Sequence, residues 1–398
     1  MRINKQLLYA VLAAGQSLVH ASGTETDTRS IDEIYEAARN ESGVLNVYFG
    51  GSSQAAAAPL LNAFRSRFPD VEINITAELS KYADSKIDRS YIEGNPFIDL
   101  AILQTVQDFA RWDKQLRLLH YKPANFDDIN LAIKHIDGAY FPVTFNQFGP
   151  FYYDSDLVPQ ERVPTTYADV LDPYWKGKIV LTYPNDDDGV LYLFALIIER
   201  YGFQWLDSLL QQDVQWVRGA SAATGTIISN HNATNGSRVL TFSGLGGFTP
   251  STSFLLVQRP APPDRFMTWA QLAGIFASTP RPESAKLFAS FLLSDEWQQP
   301  IAQTGAPSIR TSLTGDNNVF AANNTEPTGY ITFMSNREEV EWWRLQLETS
   351  IGLAVGPNPH LRRYIWVETA IACLSRLLDG IKAGVVSFMM LYPGGPWL

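Results

Sequence analysis

Small polar and acidic residues gather at three points of this sequence where they can meet a charged ligand. Gly50-Gly51-Ser52-Ser53 follows the apolar run Leu45-Asn46-Val47-Tyr48-Phe49 and precedes Ala55-Ala56-Ala57-Ala58. Glycines permit a tight turn, and Ser52 or Ser53 is a good N-cap for an alanine-rich helix. A strand ending in such a turn presents N–H groups at the positive end of a helix dipole, which suits a carboxylate or phosphate. A plain strand–turn–helix corner has the same sequence, and both readings stand. Asp186-Asp187-Asp188 heads an apolar run at residues 190–201. Its acids either cap that helix, for about 0.3–1 kcal/mol each, or turn Asp186 and Asp187 toward a cationic or zwitterionic ligand. Gly219 to Gly225 holds Ser221 and Thr224 in a second candidate anion-binding turn. Gln104-Thr105, at the end of the run 99–103, and Asn146, between two extended segments, complete the ligand-facing set.

Other chemistry finds little material. There is no His-Glu-x-x-His and no Gly-x-Ser-x-Gly. The histidines are His20, His120, His135, His231 and His360, and no two stand at ligand spacing, so no metal site is expected. Cys373 is the only cysteine, so no intrachain disulfide can form. Glu338, Glu339 and Glu341 read as a solvated helix face. No catalytic residue and no cofactor is expected. Tyr48, Phe49, Tyr183 and Trp269 can wall a pocket, make a cation–π contact or serve as core.

The elements that position these residues follow from periodicity. Ala57, Leu60, Leu61, Phe64 and Phe68 share one helical face, and Pro59 either kinks that helix or restarts it. Residues 71–75 alternate as a strand, which completes a βαβ unit. Ligands in such sheets sit at the carboxyl ends of strands, where Gly50 to Ser53 lie. Further strands are expected at 99–103, 140–144, 149–153, 178–182, 214–217, 239–242, 254–257 and 267–270. Helices are expected near Ile31 to Ala38, from Val163-Pro164-Thr165-Thr166, and at 190–201, 282–293 and 338–351. Ser243 to Gly247 is a glycine-rich candidate hinge.

With 398 residues the chain can build two lobes with their own cores. Its formal charge is −10, which argues against a nucleic-acid partner or an anionic membrane surface. Residues 1–21 read as a secretory signal: Arg2 and Lys5, an apolar stretch from Leu7 to Ala14, then Val19-His20-Ala21. Losing those two cations takes the charge to −12. Sequons at Asn40, Asn74, Asn232, Asn235 and Asn323 make a eukaryotic product a candidate glycoprotein.

The segments Val47-Tyr48-Phe49-Gly50, Asp99-Leu100-Ala101, Trp175-Lys176-Gly177-Lys178-Ile179 with Tyr183-Pro184, and Pro282-Glu283-Ser284-Ala285-Lys286-Leu287-Phe288 with Phe291-Leu292-Leu293-Ser294 carry a resemblance. Together they resemble the type 2 periplasmic solute-binding proteins of ABC transporters, most closely the ferric-iron branch. The resemblance implies an α/β, two-lobed, periplasmic-binding-protein-like type II fold with a ligand cleft that closes by a hinge. It places the first lobe at 44–143 and 246–303 and the second at 144–245, with crossings near 144–153 and 242–247. C-terminal helices at 304–355 pack on the lobes, and 356–398 is an atypical tail beyond the resemblance. Iron-binding members carry adjacent tyrosines in the second lobe near the second crossing. Here Val239 to Gly244 has none, and Tyr152-Tyr153 falls at the first crossing as strand core, so ferric iron is not expected.

The expected function is a secreted, extracellular or periplasmic, non-catalytic monomer that captures a small polar organic anion or zwitterion. A membrane importer is its partner if the source has one. A secreted hydrolase or transferase on the same fold is the alternative, as is an interaction protein that has lost its ligand. The mature chain is expected to begin at Ser22. N-terminal sequencing of the secreted protein checks this, and retention of Met1 overturns it.

Overall fold

The alternation of apolar runs with turns builds a mixed α/β molecule. In the computed structural model, which describes residues 24–233, 236–245 and 252–356, the first part of the chain largely follows its sequence pattern. Ser30 caps α1 (Ile31–Ala38), and the Glu33 carboxylate accepts from the Ser30 N–H in return. β1 (Leu45–Gly50), α2 (Ala58–Arg67), β2 (Ile73–Glu78) and α3 (Ser80–Ile92) form the expected strand–helix repeat. β3 (Leu100–Leu103), α4 (Val106–Lys114), β4 (Leu118–Leu119) and β5 (Phe141–Phe148) follow. The middle of the chain supplies β6 (Phe151–Asp154), β7 (Val180–Thr182), α5 (Asp188–Tyr201), α6 (Phe203–Leu210), β8 (Gln215–Val217), α7 (Ala220–Asn230), β9 (Leu240–Thr241) and β10 (Leu255–Gln258). The chain ends with β11 (Met267–Phe276), α8 (Pro282–Leu293), α9 (Asp295–Gln303), α10 (Gly329–Ser335) and α11 (Arg337–Ile351).

Three sheets result. The largest has the order β2-β1-β3-β11-β4, with β5 also paired to β11. β1 runs parallel to both neighbours, so that Val47 lies opposite Ile75 and Leu100. β11 is antiparallel to β3 and β5. A second sheet, β10-β6-β9, is antiparallel, and β7-β8 form a parallel pair. A bridge between Ile179 and Leu240 ties that pair to the second sheet. Apolar packing is continuous across all of them. Phe64 meets Phe288 and Phe291 edge-on at 5.1 and 5.6 Å, and Phe194 stacks on Phe242 at 6.1 Å.

Several expectations change. No α-helix starts at Ser52 or Ser53. The chain makes a 3-10 turn at Gln54–Ala56, and α2 restarts at Ala58 with Pro59 in its first turn. Gln54 fastens that turn to the sheet edge, donating to the Ile75 carbonyl and accepting from the Ala77 N–H. No α-helix forms from Val163 either. The Asp169 carboxylate takes the N–H groups of Thr165 and Thr166 at 2.8 Å each, so this segment closes as turns. The chain leaves the large sheet after β5 and rejoins it at β11. Leu255–Gln258, expected in the first lobe, pairs with β6 in the second sheet. Ser243 is buried and tied to Thr182 by two hydrogen bonds of 2.8 and 2.9 Å, so this end of the candidate hinge is fixed to β7. Asn40, Asn74, Asn232 and Asn323 are exposed. Asn235, the signal stretch, Gly247 and residues 357–398 lie outside the described residues.

Gly149 shows how tightly the two connections run together. Its φ is +112°, its N–H donates to the Phe242 carbonyl, and an added Cβ would lie 2.6 Å from the Phe266 Cβ. Gly149→Ala is expected to cost more than about 2 kcal/mol, through backbone strain and overlap. Urea unfolding checks this, and a cost below about 0.5 kcal/mol overturns it.

Candidate functional site

The carboxyl ends of β1, β2 and β3 open onto a cavity of about 350 Å³. Its floor comes from the turn after β1, where Phe49, Gly50, Gly51 and Ser52 line the space. Gly50 is required by close packing: Gln271 Nε2 donates to its carbonyl at 2.8 Å, and a Cβ there would stand 2.8 Å from the same nitrogen. The start of α3 brings Ser80 and Lys81, and the residues after β3 bring Gln104 and Thr105. From the other side, Asp186, Asp187, Ala220 and Ser221 complete the wall. Apolar surface comes from Leu60, Leu79, Ile102, Val143, Leu245, Trp269, Leu292, Trp297 and Ile301. Trp269 is held in place by stacking on Phe148 at 4.9 Å.

Three polar contacts span the cavity. Ser52 Oγ and Ser221 Oγ are 2.8 Å apart. Lys81 Nζ donates to the Asp186 carbonyl and, at 2.9 Å, to its carboxylate. Gln104 Nε2 donates to Asp187 Oδ1 at 3.2 Å. Asp186 also accepts two bonds from Arg218, at 2.8 and 2.9 Å. Burial acts to raise its pKa, but Arg218 and Lys81 together outweigh it and hold the carboxyl below its ordinary value.

Of the two roles the sequence suggested for the acids, helix capping is taken by Asp187. Asp186 is neutralised by two cations of the protein. Asp187 is the N-cap of α5, accepting from the Gly189 and Val190 N–H groups at 2.9 and 3.2 Å, and burial pushes its pKa up. Asp188 pairs with Arg344 at 2.6 Å. Lys81 and Arg218 meet on Asp186, Arg344 meets Asp188, and the buried Asp187 is held by hydrogen-bond donors alone, so each acid beside the cavity already has partners within the protein.

Of the residues expected to face a ligand, Gly50, Gly51, Ser52, Gln104, Thr105, Asn146, Asp186, Asp187 and Ser221 line the cavity. Ser53 is exposed at the 3-10 turn and lies outside the lining. Thr224 is buried on α7, where its hydroxyl donates to the Leu245 carbonyl at 2.9 Å. Among the four aromatic candidates Phe49 and Trp269 line the space. Tyr48 packs edge-on to Phe97 and Tyr183 against Trp216. Tyr152 and Tyr153 are strand core, buried in β6 away from the cavity. Sequence reasoning missed Lys81, Gln271, Trp297 and Tyr330. Lys81 follows the end of β2 and was accessible to the strand-end rule; the other three come from distant segments with no local signal.

Besides the starts of α3 and α5, the start of α7 reaches the cavity through Ala220 and Ser221. Gly219 precedes it at φ +86° with no side-chain cap, and the Ala222 N–H bonds back to the Gly219 carbonyl, which leaves the N–H groups of Ala220 and Ser221 as the donors of its first turn. Away from the cavity, Asp154, Asp156 and His231 offer metal-ligand atoms within 4.8 Å of one another. His231 Nδ1 already lies 2.7 Å from Asp154 Oδ2, and Asp154 Oδ1 accepts from the Asp156 N–H.

Residues 60–327 match the family described as bacterial extracellular solute-binding protein. No curated protein matches the sequence. Among solved structures, the chain is similar to the substrate-binding protein of an ABC transporter from Agrobacterium tumefaciens, with a TM-score of 0.64 and 16% identity over 78% of this chain and 96% of that one. It is also similar to iron-bound HitA from Pseudomonas aeruginosa, with a TM-score of 0.55 and 16% identity over 78% of this chain and 100% of that one. AfuA from Actinobacillus pleuropneumoniae, solved with exogenous fructose-6-phosphate, has a TM-score of 0.56 and 18% identity over 79% of this chain and 100% of that one. At these identities the likeness is one of fold, and the fold is that of type 2 periplasmic binding proteins. Among the described residues no helix is long and apolar enough to cross a membrane.

The Asp186 network has a pH signature. A carboxyl whose pKa is depressed in the folded state stabilises the protein above its unfolded value of 3.8, and that contribution is lost as pH falls through the folded value. Asp186→Asn is expected to cost about 1–3 kcal/mol near pH 7 and almost nothing near pH 2. Denaturant unfolding at both pH values checks this; an equal cost at both overturns it.

Proposed function

The chain belongs to the bacterial extracellular solute-binding protein family, and from that premise we propose that it captures a small organic anion with an apolar body and delivers it to an ABC-type membrane importer. The observation that carries the anion reading is the Lys81–Asp186–Arg218 arrangement, with two cations around one carboxylate at the polar end of the cavity. A solute carboxylate or phosphate there gains Lys81, the hydroxyls of Ser52 and Ser221 and the first-turn N–H groups of α7. Its body meets Phe49, Leu60, Trp269 and Trp297. The volume lies at the lower end of the range of about 300–1,000 Å³ common for small-molecule pockets. The cationic end of a zwitterion would compete with Lys81 and Arg218 for Asp186 and with the Gly189, Val190 and Gln104 donors for Asp187, which favours a solute that is anionic alone.

Binding without turnover is supported by the side chains at hand. Among the described residues no histidine lines the cavity, and Ser52 and Ser221 bond to each other and not to a base. The connections at Gly149-Pro150 and between β10 and β11 supply the hinge. Capture takes place outside the cytoplasm, on a single protomer, and the exposed sequons carry glycans when the protein is made in a eukaryote.

A thermal-shift screen tests the solute class. At a hundred times its dissociation constant a ligand adds about 2.7 kcal/mol, which raises the melting midpoint by several degrees. Aromatic or aliphatic carboxylates and phosphonates are expected to give this shift, and Lys81→Met to abolish it. Amino acids and polyamines are expected to give none. A large shift with ferric salts alone, or with polyamines, overturns the reading.

A further inference from the structure

Behind the Lys81–Asp186 pair lies a second chamber of about 330 Å³ that the solute cavity does not use. It shares Lys81, Thr105, Asp186 and Asp188 with that cavity and is closed on the far side by α11. Its lining is polar throughout, and three of its buried side-chain oxygens have no hydrogen-bond partner: Thr105 Oγ1, Gln107 Oε1 and Asn185 Oδ1. Thr105 is 4% exposed. A buried acceptor left unmade costs about 1–3 kcal/mol, so three in one chamber call for donors, from water or from the hydroxyls of a ligand.

The orientation of the two amides is settled by their other ends. Asn185 Nδ2 donates to the Gly352 carbonyl at 3.0 Å, and Gln107 Nε2 to the Asp108 carboxylate at 3.3 Å. Both partners are acceptors only, so the nitrogens must face them and the oxygens must be the free atoms.

Charge argues against an ion. Lys81 is paired with Asp186, Arg344 with Asp188 and Glu341, and Arg337 with Glu341. The remaining acid, Asp84, has its pKa pushed up to about 7 by burial and then by the neighbouring Asp108. The cations of the lining are already matched by acids, so a charged occupant of either sign would add an unmatched charge, and an anion would also meet three unpaired acceptors. Neutral hydroxyl groups meet neither difficulty.

We propose that this chamber is a second binding site, for a small neutral polyol whose hydroxyls donate to Gln107 Oε1, Asn185 Oδ1 and Thr105 Oγ1. It stands apart from the anion reading, because Gln107 and Asn185 line this chamber and not the solute cavity.

Isothermal titration of the full chain with erythritol, xylitol and sorbitol tests it, beside Gln107→Met and Asn185→Leu. The wild-type protein is expected to bind at least one polyol saturably at one site. Each variant is expected to weaken that binding tenfold or more while leaving the thermal shift from carboxylates intact. Lys81→Met reports on the anion reading separately. Gln107→Leu, at a position that lines this chamber and not the solute cavity, provides a third probe if either variant melts without cooperativity. Absence of saturable heat with all three polyols overturns the proposal. So does equal affinity in the variants, tighter binding of putrescine than of any polyol, or a sorbitol-soaked crystal with water alone in the chamber.

Discussion

A single carboxylate, Asp186, joins the two halves of the binding region. It sits just after β7, on the side of the small sheets, and takes Arg218 from its own side and Lys81 from α3 on the other. Bringing three charges together out of water is costly, and their attraction offsets that cost only when the geometry is good and the remaining lone pairs are used. Here the carboxylate accepts three side-chain bonds between 2.8 and 2.9 Å. The arrangement ties the start of α3 to the segment after β7, so the two sides of the cavity are held together by charge as well as by packing.

The rest of the fold serves that placement. Parallel β1, β2 and β3 end together, so the turn at Gly50, the start of α3 and Gln104-Thr105 converge on one rim. β11 is buried along its whole length and brings Trp269 and Gln271 from late in the chain to the same rim. The crossing at Gly149, packed against Phe266, sets the second sheet beside the first. The polar contacts from Ser52, Lys81 and Gln104 then meet Ser221, Asp186 and Asp187 across the gap.

Much of this was legible because it is local. Periodicity located most strands and helices, and the Gly-Gly-Ser turn and the aspartate triplet marked two sides of the cavity. A helix cap was one of the two roles legible in the triplet, but which aspartate takes it was not. Asp186 and Asp187 differ by one position, yet one is an ion-pair hub and the other a helix cap, and only the positions of Arg218 and Lys81 distinguish them. The expected helix at Ser53 failed for a similar reason: the Gln54 amide bonds to β2, a neighbour that sequence spacing does not show. The pairing of β10 with β6 was not legible either, because residues 242–247 have the composition of a hinge and that pairing is decided by strands about a hundred residues apart, Val257 with Tyr152.

Phe49 and Tyr330 wall the same cavity although 330 − 49 = 281 positions separate them. During synthesis, then, no partial chain ending before Tyr330 can enclose a solute, however well its first sheet has formed. Contacts of such long range also form late, since the chain must be ordered over a long loop before they return any energy. Recognition is in this sense completed late, because Tyr330 closes a cavity whose other lining residues all precede it in the chain.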